Sequence, residues 1–399
     1  MNINLDDNKE SGFYLFIIWE KSRKKTDLVL GDIKKKFVIR EVYDVIWSKK
    51  YAIDNLKRFY GSMATAQQKA DMTGAGPFLL ILVTDPNPKF RAEKTVLNDT
   101  NIINTNVYDA KMLYREWIDN EYAVHGSLSN KETNHDVTLL LRKNINELDK
   151  ELPKNWDGSI KKLESELIGY DGWDDMKQLF SILNGTSNYV ILRNFENFPE
   201  KISRDVDILA ENLEIIPVIN AEIDSPRTIN TMSHTMFHIQ IGLNVKIDNE
   251  TISFDLRIVG DSYYDDKWSQ DILKRRVLNP NGFYTPCKED YFYTLLYHAI
   301  FHKGIISDRY NKRLVDLAAE LEIKEISKDF FYDFKKSRDF LKKYMRRMGY
   351  HDTTSLQYKT FHYELFRLTR VSIFLLKNRG IKFFFEAAQH KIKIIFSKS

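Results

Sequence analysis

The chain has 399 residues, which is too long for one ordinary hydrophobic core and predicts two or three domains. Hydrophobic residues make up 43% and charged residues 29%, and the net charge of +4 gives no reason to expect a nucleic-acid partner. The single cysteine, Cys287, excludes an internal disulfide framework and a cysteine-based zinc site. Without a signal-peptide pattern or a long apolar stretch, the sequence predicts a cytoplasmic protein, and it predicts no oligomeric state.

The first segment, from Gly12 to about Leu141, alternates apolar runs of strand length with amphipathic stretches of helical period. The runs Phe13 to Trp19, Val42 to Trp47 and Phe78 to Val83 are the predicted strands. A strand-helix-strand-helix-strand order predicts a ferredoxin-like α/β sandwich within an α+β protein.

Several motifs of this segment resemble nucleoside diphosphate kinase, and the likeness defines a predicted domain over 12–145. The motifs are Leu30-Gly31-Asp32-Ile33, Gly74-Ala75-Gly76-Pro77, Tyr114-Arg115-Glu116 and His125-Gly126-Ser127-Leu128-Ser129. The resemblance implies that His125 accepts a phosphoryl group and that Arg115 and Arg91 contact phosphate. Trp19-Glu20 stands where that family has a lysine and a proline. A fold kept for binding or assembly is the alternative.

Residues 146–170 are polar and contain Pro153 and Gly158, so they are predicted to form a linker. A second domain is predicted over 171–265. It begins with an amphipathic helix that Asn184-Gly185 would end, and short apolar strands then follow.

Asp205 and Asp207 alternate with apolar residues in one of these strands, so their side chains should share a face. Two adjacent carboxylates repel each other unless a cation lies between them. A third carboxylate, Asp255, lies in a later apolar strand. Carboxylate oxygens on adjacent strands suit Mg²⁺ or Mn²⁺ and a metal-assisted displacement at phosphorus. The alternative is an ordinary solvated strand surface.

The segment from about 173 to 345 resembles the polymerase-beta-like nucleotidyltransferase superfamily. The likeness lies in the order of a helix, a strand, a turn, an Asp-x-Asp strand and a later acid. The resemblance implies a central nucleotidyltransferase-type mixed sheet and a nucleoside triphosphate or other nucleotide donor. It also implies that Asp205, Asp207 and Asp255 are catalytic metal ligands. Arg193 and Asn194 stand where the family has small residues beside the triphosphate, so both are candidate substrate contacts.

A helical region is predicted over 266–350, and it supplies a further candidate substrate contact, Lys303. Arg257 should share the strand face of Asp255, either as a phosphate contact or as an ion-pair partner. His298 and His302 lie four residues apart, which suits zinc but more often describes histidines of a core or helix surface.

The tail, 351–399, mixes aromatic and basic residues. Contact with a membrane surface through 371–399 and a helix packed on the catalytic domain are equal alternatives. The expected function is metal-dependent transfer of a nucleotidyl or related phosphoryl group to a small molecule or a lipid-linked sugar phosphate, in surface polysaccharide assembly if the tail contacts lipid. The alternatives are a non-catalytic nucleotide-binding regulatory protein and a phosphotransferase acting through His125.

Overall fold

The computed structural model describes residues 12–61, 63–94, 100–196, 198, 205–224, 241–261 and 263–351. Helices and mixed sheets are both present, which confirms the α+β class. The chain divides into two compact units, an N-terminal unit (Met1–Tyr170) and a C-terminal unit (Asp171–Ser399).

The N-terminal unit has seven described strands and six described α-helices. The strands are β1 (Phe13–Ile18), β2 (Val38–Ile46), β3 (Phe78–Thr84), β4 (Phe90–Lys94), β5 (Thr100–Asn104), β6 (Val124–Gly126) and β7 (Lys161–Glu164). The helices are α1 (Thr26–Lys36), α2 (Ala52–Tyr60), α3 (Met63–Thr73), α4 (Thr105–Ile118), α5 (Asn130–Leu141) and α6 (Ile145–Glu151), with a 3-10 helix over Glu20–Lys25. The main sheet has the order β6-β1-β3-β2-β7, and β4 pairs with β5.

Strand β1 lies between β6 and β3 in this sheet, and all six of its residues are buried. Alternate residues Tyr14, Phe16 and Ile18 belong to one core cluster, together with Val29 and Ile33 of α1. A strand buried on both faces explains why its sequence is a continuous apolar run rather than an alternating one.

Residues 146–170 do not form a bare linker, although the sequence predicts one. They include most of α6 and the edge strand β7, which pairs in parallel with β2 so that Tyr43 lies opposite Lys161. Arg58 donates hydrogen bonds to the carbonyl oxygens of Leu167 and Ile168. The segment is therefore fixed to the N-terminal unit by backbone pairing and by a buried arginine.

The turn before β3 is shaped around the carboxylate of Glu20. The backbone N–H of Gly76 donates to Glu20 Oε2 at 2.8 Å. Gly74 has a φ of +80°, and a Cβ at either Gly74 or Gly76 would overlap the Glu20 side chain. Gly74 is thus favoured both by its backbone conformation and by close approach to Glu20, whereas a side chain at Gly76 would have to displace the Glu20 carboxylate.

The C-terminal unit also has seven described strands, together with six described α-helices. The strands are β8 (Tyr189–Ile191), β9 (Asp205–Ala210), β10 (Glu222–Ile223), β11 (Ile241–Ile247), β12 (Glu250–Ile258), β13 (Val277–Leu278) and β14 (Tyr284–Thr285). The helices are α7 (Met176–Thr186), α8 (Ile215–Val218), α9 (Asp266–Lys274), α10 (Lys288–Tyr297), α11 (Asp308–Glu320) and α12 (Phe334–Met348), with a π-helical turn over His298–Lys303 and a 3-10 helix over Phe330–Tyr332. The main sheet has the order β10-β11-β12-β9-β8, in which only the β12–β9 pair is parallel among the described strands.

A two-residue hairpin joins β11 to β12. Its turn residues Asp248 and Asn249 have φ angles of 48° and 60°, which these residue types tolerate better than most. The hairpin fixes the register, and Asp255 therefore lies opposite Gly242.

Within the described ranges, no helix is long and apolar enough to cross a membrane. The predicted basic tail, 351–399, lies outside the described residues apart from His351, and so does its proposed membrane-contacting part, 371–399.

Candidate functional site

Three aspartates lie on one face of the C-terminal sheet. In the parallel pair, Asp207 of β9 lies directly beside Asp255 of β12, and Asp205 lies beside Ser253. Residues paired in this way project to the same side, and Asp205 joins them because it is two residues from Asp207. The intervening Val206 is fully buried on the opposite face. The structure thus brings together the three predicted catalytic residues on one surface.

The turn after β8 brings Arg193 to the same place. The N–H of Leu192 donates to the carbonyl oxygen of Asp207 at 2.8 Å, and Asn194 follows with a left-handed φ of 60°. The next two residues anchor the turn: the rings of Phe195 and Tyr291 lie 4.9 Å apart. Tyr291 also donates a hydrogen bond of 2.7 Å to Glu196.

Arg193 forms an ion pair with Asp207 through Nη2 and Oδ1. Both residues are buried, with 8% and 6% exposure. Burial lowers the pKa of the Arg193 guanidinium, but Asp207 together with the nearby Tyr263, Tyr264 and Tyr310 offsets burial and leaves that pKa raised. Burial raises the pKa of Asp207; Arg193 opposes this shift, and the nearby Asp205 adds to it. Arg193 is therefore a permanent cation inside the aspartate cluster.

Arg257 is a second buried cation on this face, two residues beyond Asp255. Its guanidinium lies 4.1 Å from the ring centre of Tyr263. Its Nη1 is 3.6 Å from Oδ2 of Asp261, and neither atom makes a hydrogen bond within the described residues. Arg257 therefore keeps a buried donor group that is not fully used.

The π-helical turn over His298–Lys303 lies next to these arginines. His298 Nδ1 and the Tyr263 hydroxyl are 2.9 Å apart, within hydrogen-bonding distance. Burial, followed by the charge of Arg193, holds the pKa of His298 well below its ordinary value. A π-helical turn is rare and is often found at functional positions.

His302, on the same turn, has its ring 4.6 Å from the ring of His298. Burial, and then the charges of Arg257, Arg193 and Lys303, lower the pKa of His302 to about 3. Its Nδ1 is buried and makes no hydrogen bond within the described part of the chain. Lys303 itself is exposed. The turn thus offers a neutral imidazole and an exposed ammonium group beside the buried arginines.

Sequence reasoning did not assign Tyr263, His298 or Tyr310 to the site. Tyr310 lies at the start of α11, where burial raises its pKa and the Arg193 and Asp207 charges both act on it. Tyrosines so far along the chain from the aspartates carry no motif, and only the folded chain brings them there. His298 had a signal in its spacing from His302, but that spacing more often describes histidines of a core or helix surface.

The carboxylate oxygens of the three aspartates do not converge on one metal position. Within the described residues, a single group of three side chains has its metal-ligating atoms within 4.8 Å of one another, namely His125, Glu132 and Asp136. Asp207 instead bonds to Arg193. The aspartate face supplies the hard oxygen ligands that Mg²⁺ and Mn²⁺ prefer, but one of its carboxylates already has a cationic partner.

His125 lies on β6, the edge strand that pairs with β1. Its Nε2 is 2.7 Å from Oδ2 of Asp136, and Asp136 Oδ1 is 3.0 Å from His135 Nδ1. Burial would raise the pKa of Asp136, but the two histidines reverse the effect and leave it lowered. The carboxylate therefore stays charged and holds the His125 ring in place.

Arg115 and Lys111 lie close to this histidine, because they donate to the carbonyl oxygens of Val124 and Gly126 on either side of it. Arg115 donates to the carbonyl oxygen of Val124 at 3.0 Å. Burial, and then the charges of Arg115 and Lys111, lower the pKa of Lys69 to about 8. Arg91 is exposed, and its guanidinium lies 4.5 Å from the ring centre of Tyr108. Lys69 and Lys111 were not predicted as site residues, because both lie in stretches without a motif.

Comparison with protein-family models, with curated proteins and with solved structures finds no match to this chain.

Proposed function

We propose that the C-terminal unit is a metal-dependent nucleotidyltransferase. The proposed reaction transfers a nucleotidyl or related phosphoryl group from a nucleotide donor to a small molecule or a lipid-linked sugar phosphate. The observation that carries this proposal is the register of β9 and β12, which sets Asp207 beside Asp255 with Asp205 on the same face. The superfamily resemblance implies an Asp-x-Asp strand and a third acid on a later strand, and a shared face for these three carboxylates supports it.

The residues around the aspartates divide into two chemical groups. Asp205 and Asp255 would hold a divalent ion such as Mg²⁺ or Mn²⁺, which would neutralise phosphate charge when bound. Arg257, Lys303 and the neutral His302 are donors suited to the phosphate oxygens of the nucleotide. Arg193 stabilises Asp207, and Asn194 supplies the left-handed turn that brings Arg193 there.

The sheet orders are compatible with the finer fold assignments, which remain part of this proposal. The order β6-β1-β3-β2 is expected of a ferredoxin-like sandwich, and the β12–β9–β8 arrangement suits a nucleotidyltransferase-type sheet. A cytoplasmic location, with membrane contact through 371–399, would bring the enzyme to lipid-linked acceptors of surface polysaccharide assembly.

One observation favours a second candidate function, phosphoryl transfer through His125. The buried Asp136 orients the imidazole, and Lys69, Lys111 and Arg115 supply positive charge nearby. Acid-labile phosphate on the protein after incubation with ATP, lost in His125→Ala but retained in His351→Ala, would support it. Absence of such phosphate would reject it.

The main proposal is tested with nucleoside triphosphates labelled at the α-phosphate, screened against sugar phosphates with Mg²⁺ or Mn²⁺. Nucleotidyl transfer moves the label to the acceptor and releases pyrophosphate. Binding of a triphosphate without turnover of any donor would instead favour a non-catalytic regulatory protein. In parallel reactions with triphosphates labelled at the γ-phosphate, transfer of that label without transfer of the α-label would favour the His125 candidate.

A further inference from the structure

The position of Arg193 bears on how many metal ions the aspartate face can hold. A permanently charged guanidinium lies against Oδ1 of Asp207, and both side chains are buried. A divalent ion on the same carboxylate would lie within a few ångströms of that cation. Repulsion between a divalent ion and a guanidinium is strong in a buried site, where water screens it poorly.

Arg193 is also poorly placed to move aside. Asn194 holds the chain in a left-handed turn, and Phe195 packs against the ring of Tyr291. Tyr291 and Arg313 both bind the carboxylate of Glu196. Swinging Arg193 away to admit an ion would break a buried ion pair and leave the guanidinium without its partner, which is unfavourable.

We propose that Arg193 is a fixed internal cation that takes the place of one divalent ion at Asp207, so that the site binds a single ion through Asp205 and Asp255. This inference rests on the proposed nucleotidyltransferase function and specifies its metal requirement. Asp207 then acts as a positioning residue: it holds the guanidinium beside the other two carboxylates, where the guanidinium supplies positive charge toward a bound phosphate.

The test is the binding of Mn²⁺ alone to the full chain, followed by electron paramagnetic resonance. The number of ions at the aspartate site is the number bound by the wild type minus the number bound by the double variant Asp205→Asn, Asp255→Asn. This difference corrects for ions bound elsewhere. The expected result is one ion at the aspartate site per wild-type chain, with no spectral coupling between two manganese ions. Two coupled ions in the wild type would overturn the inference and leave the proposed function intact, whereas no ion at the aspartate site would reject both.

Variants of Arg193 provide the second arm. Arg193→Gln, checked for folding by circular dichroism, should gain a second ion at Asp207, and Arg193→Lys should keep one. Arg275→Gln is the matched control, because Arg275 pairs with the buried Asp290 in the same unit at 2.6 Å. A folded Arg193→Gln variant that still binds one ion would overturn the role of Arg193. The wild-type count decides the inference if Arg193→Gln does not fold.

Discussion

Asp207 and Asp255 are direct register partners on the parallel strands β9 and β12. The local sequence does not predict that these two strands pair, because residues 225–240 and strand β11 lie between them in the chain. Their alignment places two carboxylates side by side on one face, and such a pair is unfavourable without a cation. In the structure the cation at Asp207 is Arg193.

The Arg193–Asp207 pair should be strongly coupled in stability. Arg193→Met or Asp207→Leu alone should lower the free energy of unfolding by about 3–5 kcal/mol, because each leaves a buried charge without its partner. The double variant should lose much less than the sum of the two, since no lone charge remains. Urea unfolding of the four proteins measures the coupling, and simple additivity would show that the pair does not form.

Acid should weaken the C-terminal unit through its buried histidines. The pKa of His302 is lowered to about 3 in the folded chain, against about 6.5 when unfolded. Between these values the unfolded state binds more protons, so the free energy of unfolding falls as pH drops from about 6.5 toward 3. His302→Gln should therefore lose less stability than the wild type between pH 7 and pH 5, while His351→Gln, at an exposed position, should behave as the wild type does. Equal losses in wild type and His302→Gln would contradict the neutral state of the half-buried His302.

The turn before β3 provides a matched pair of glycine substitutions. Gly61 and Gly74 both have a φ of +80°, but only Gly74 faces the Glu20 side chain, while Gly61 faces open space. Gly74→Ala should cost about 1–3 kcal/mol more than Gly61→Ala, because of overlap with Glu20. Adding Glu20→Ala should remove most of that excess, as thermal or urea unfolding would report. An excess that is undiminished in the double variant would contradict overlap with the Glu20 side chain beyond its Cβ.

Much of the local structure could be predicted from the sequence. Asp248-Asn249-Glu250 predicts the β11–β12 turn, and alternation predicts that Asp205 and Asp207 share a face. Local signals failed where tertiary contacts outweighed them. Helix α7 continues through Asn184-Gly185 to Thr186, where Asn184 accepts a hydrogen bond from the Tyr189 hydroxyl. A polar composition likewise hid the edge strand β7, because an edge strand needs little apolar surface.

Only the carboxylates of the candidate site, and not the contacts that surround them, could be predicted from the sequence. The carboxylates can be identified by residue type and by their alternation with apolar residues. The side chains that bind them come from distant turns, whose positions the sequence does not reveal. Arg193 was predicted to contact phosphate, and its ion pair with Asp207 became visible only once β8 and β9 were paired. Tyr263 and Tyr310 show no sequence signal, because a tyrosine that lines a site cannot be distinguished in sequence from a tyrosine in the core.

The most direct test of the aspartate site is turnover of the labelled donor by Asp205→Ala, Asp207→Ala beside the wild type and Asp248→Asn. Asp248 lies exposed in the hairpin turn. Asp248→Asn removes a carboxylate charge, as the test variant does, and asparagine tolerates the left-handed backbone at this position. We predict that the double variant loses at least about 100-fold in rate, because it removes the proposed metal ligand Asp205 together with the positioning residue Asp207, and loss of a supporting partner alone costs about 10–100-fold. Asp248→Asn should keep the wild-type rate. A folded double variant with undiminished nucleotide consumption would contradict the assignment of chemistry to these aspartates.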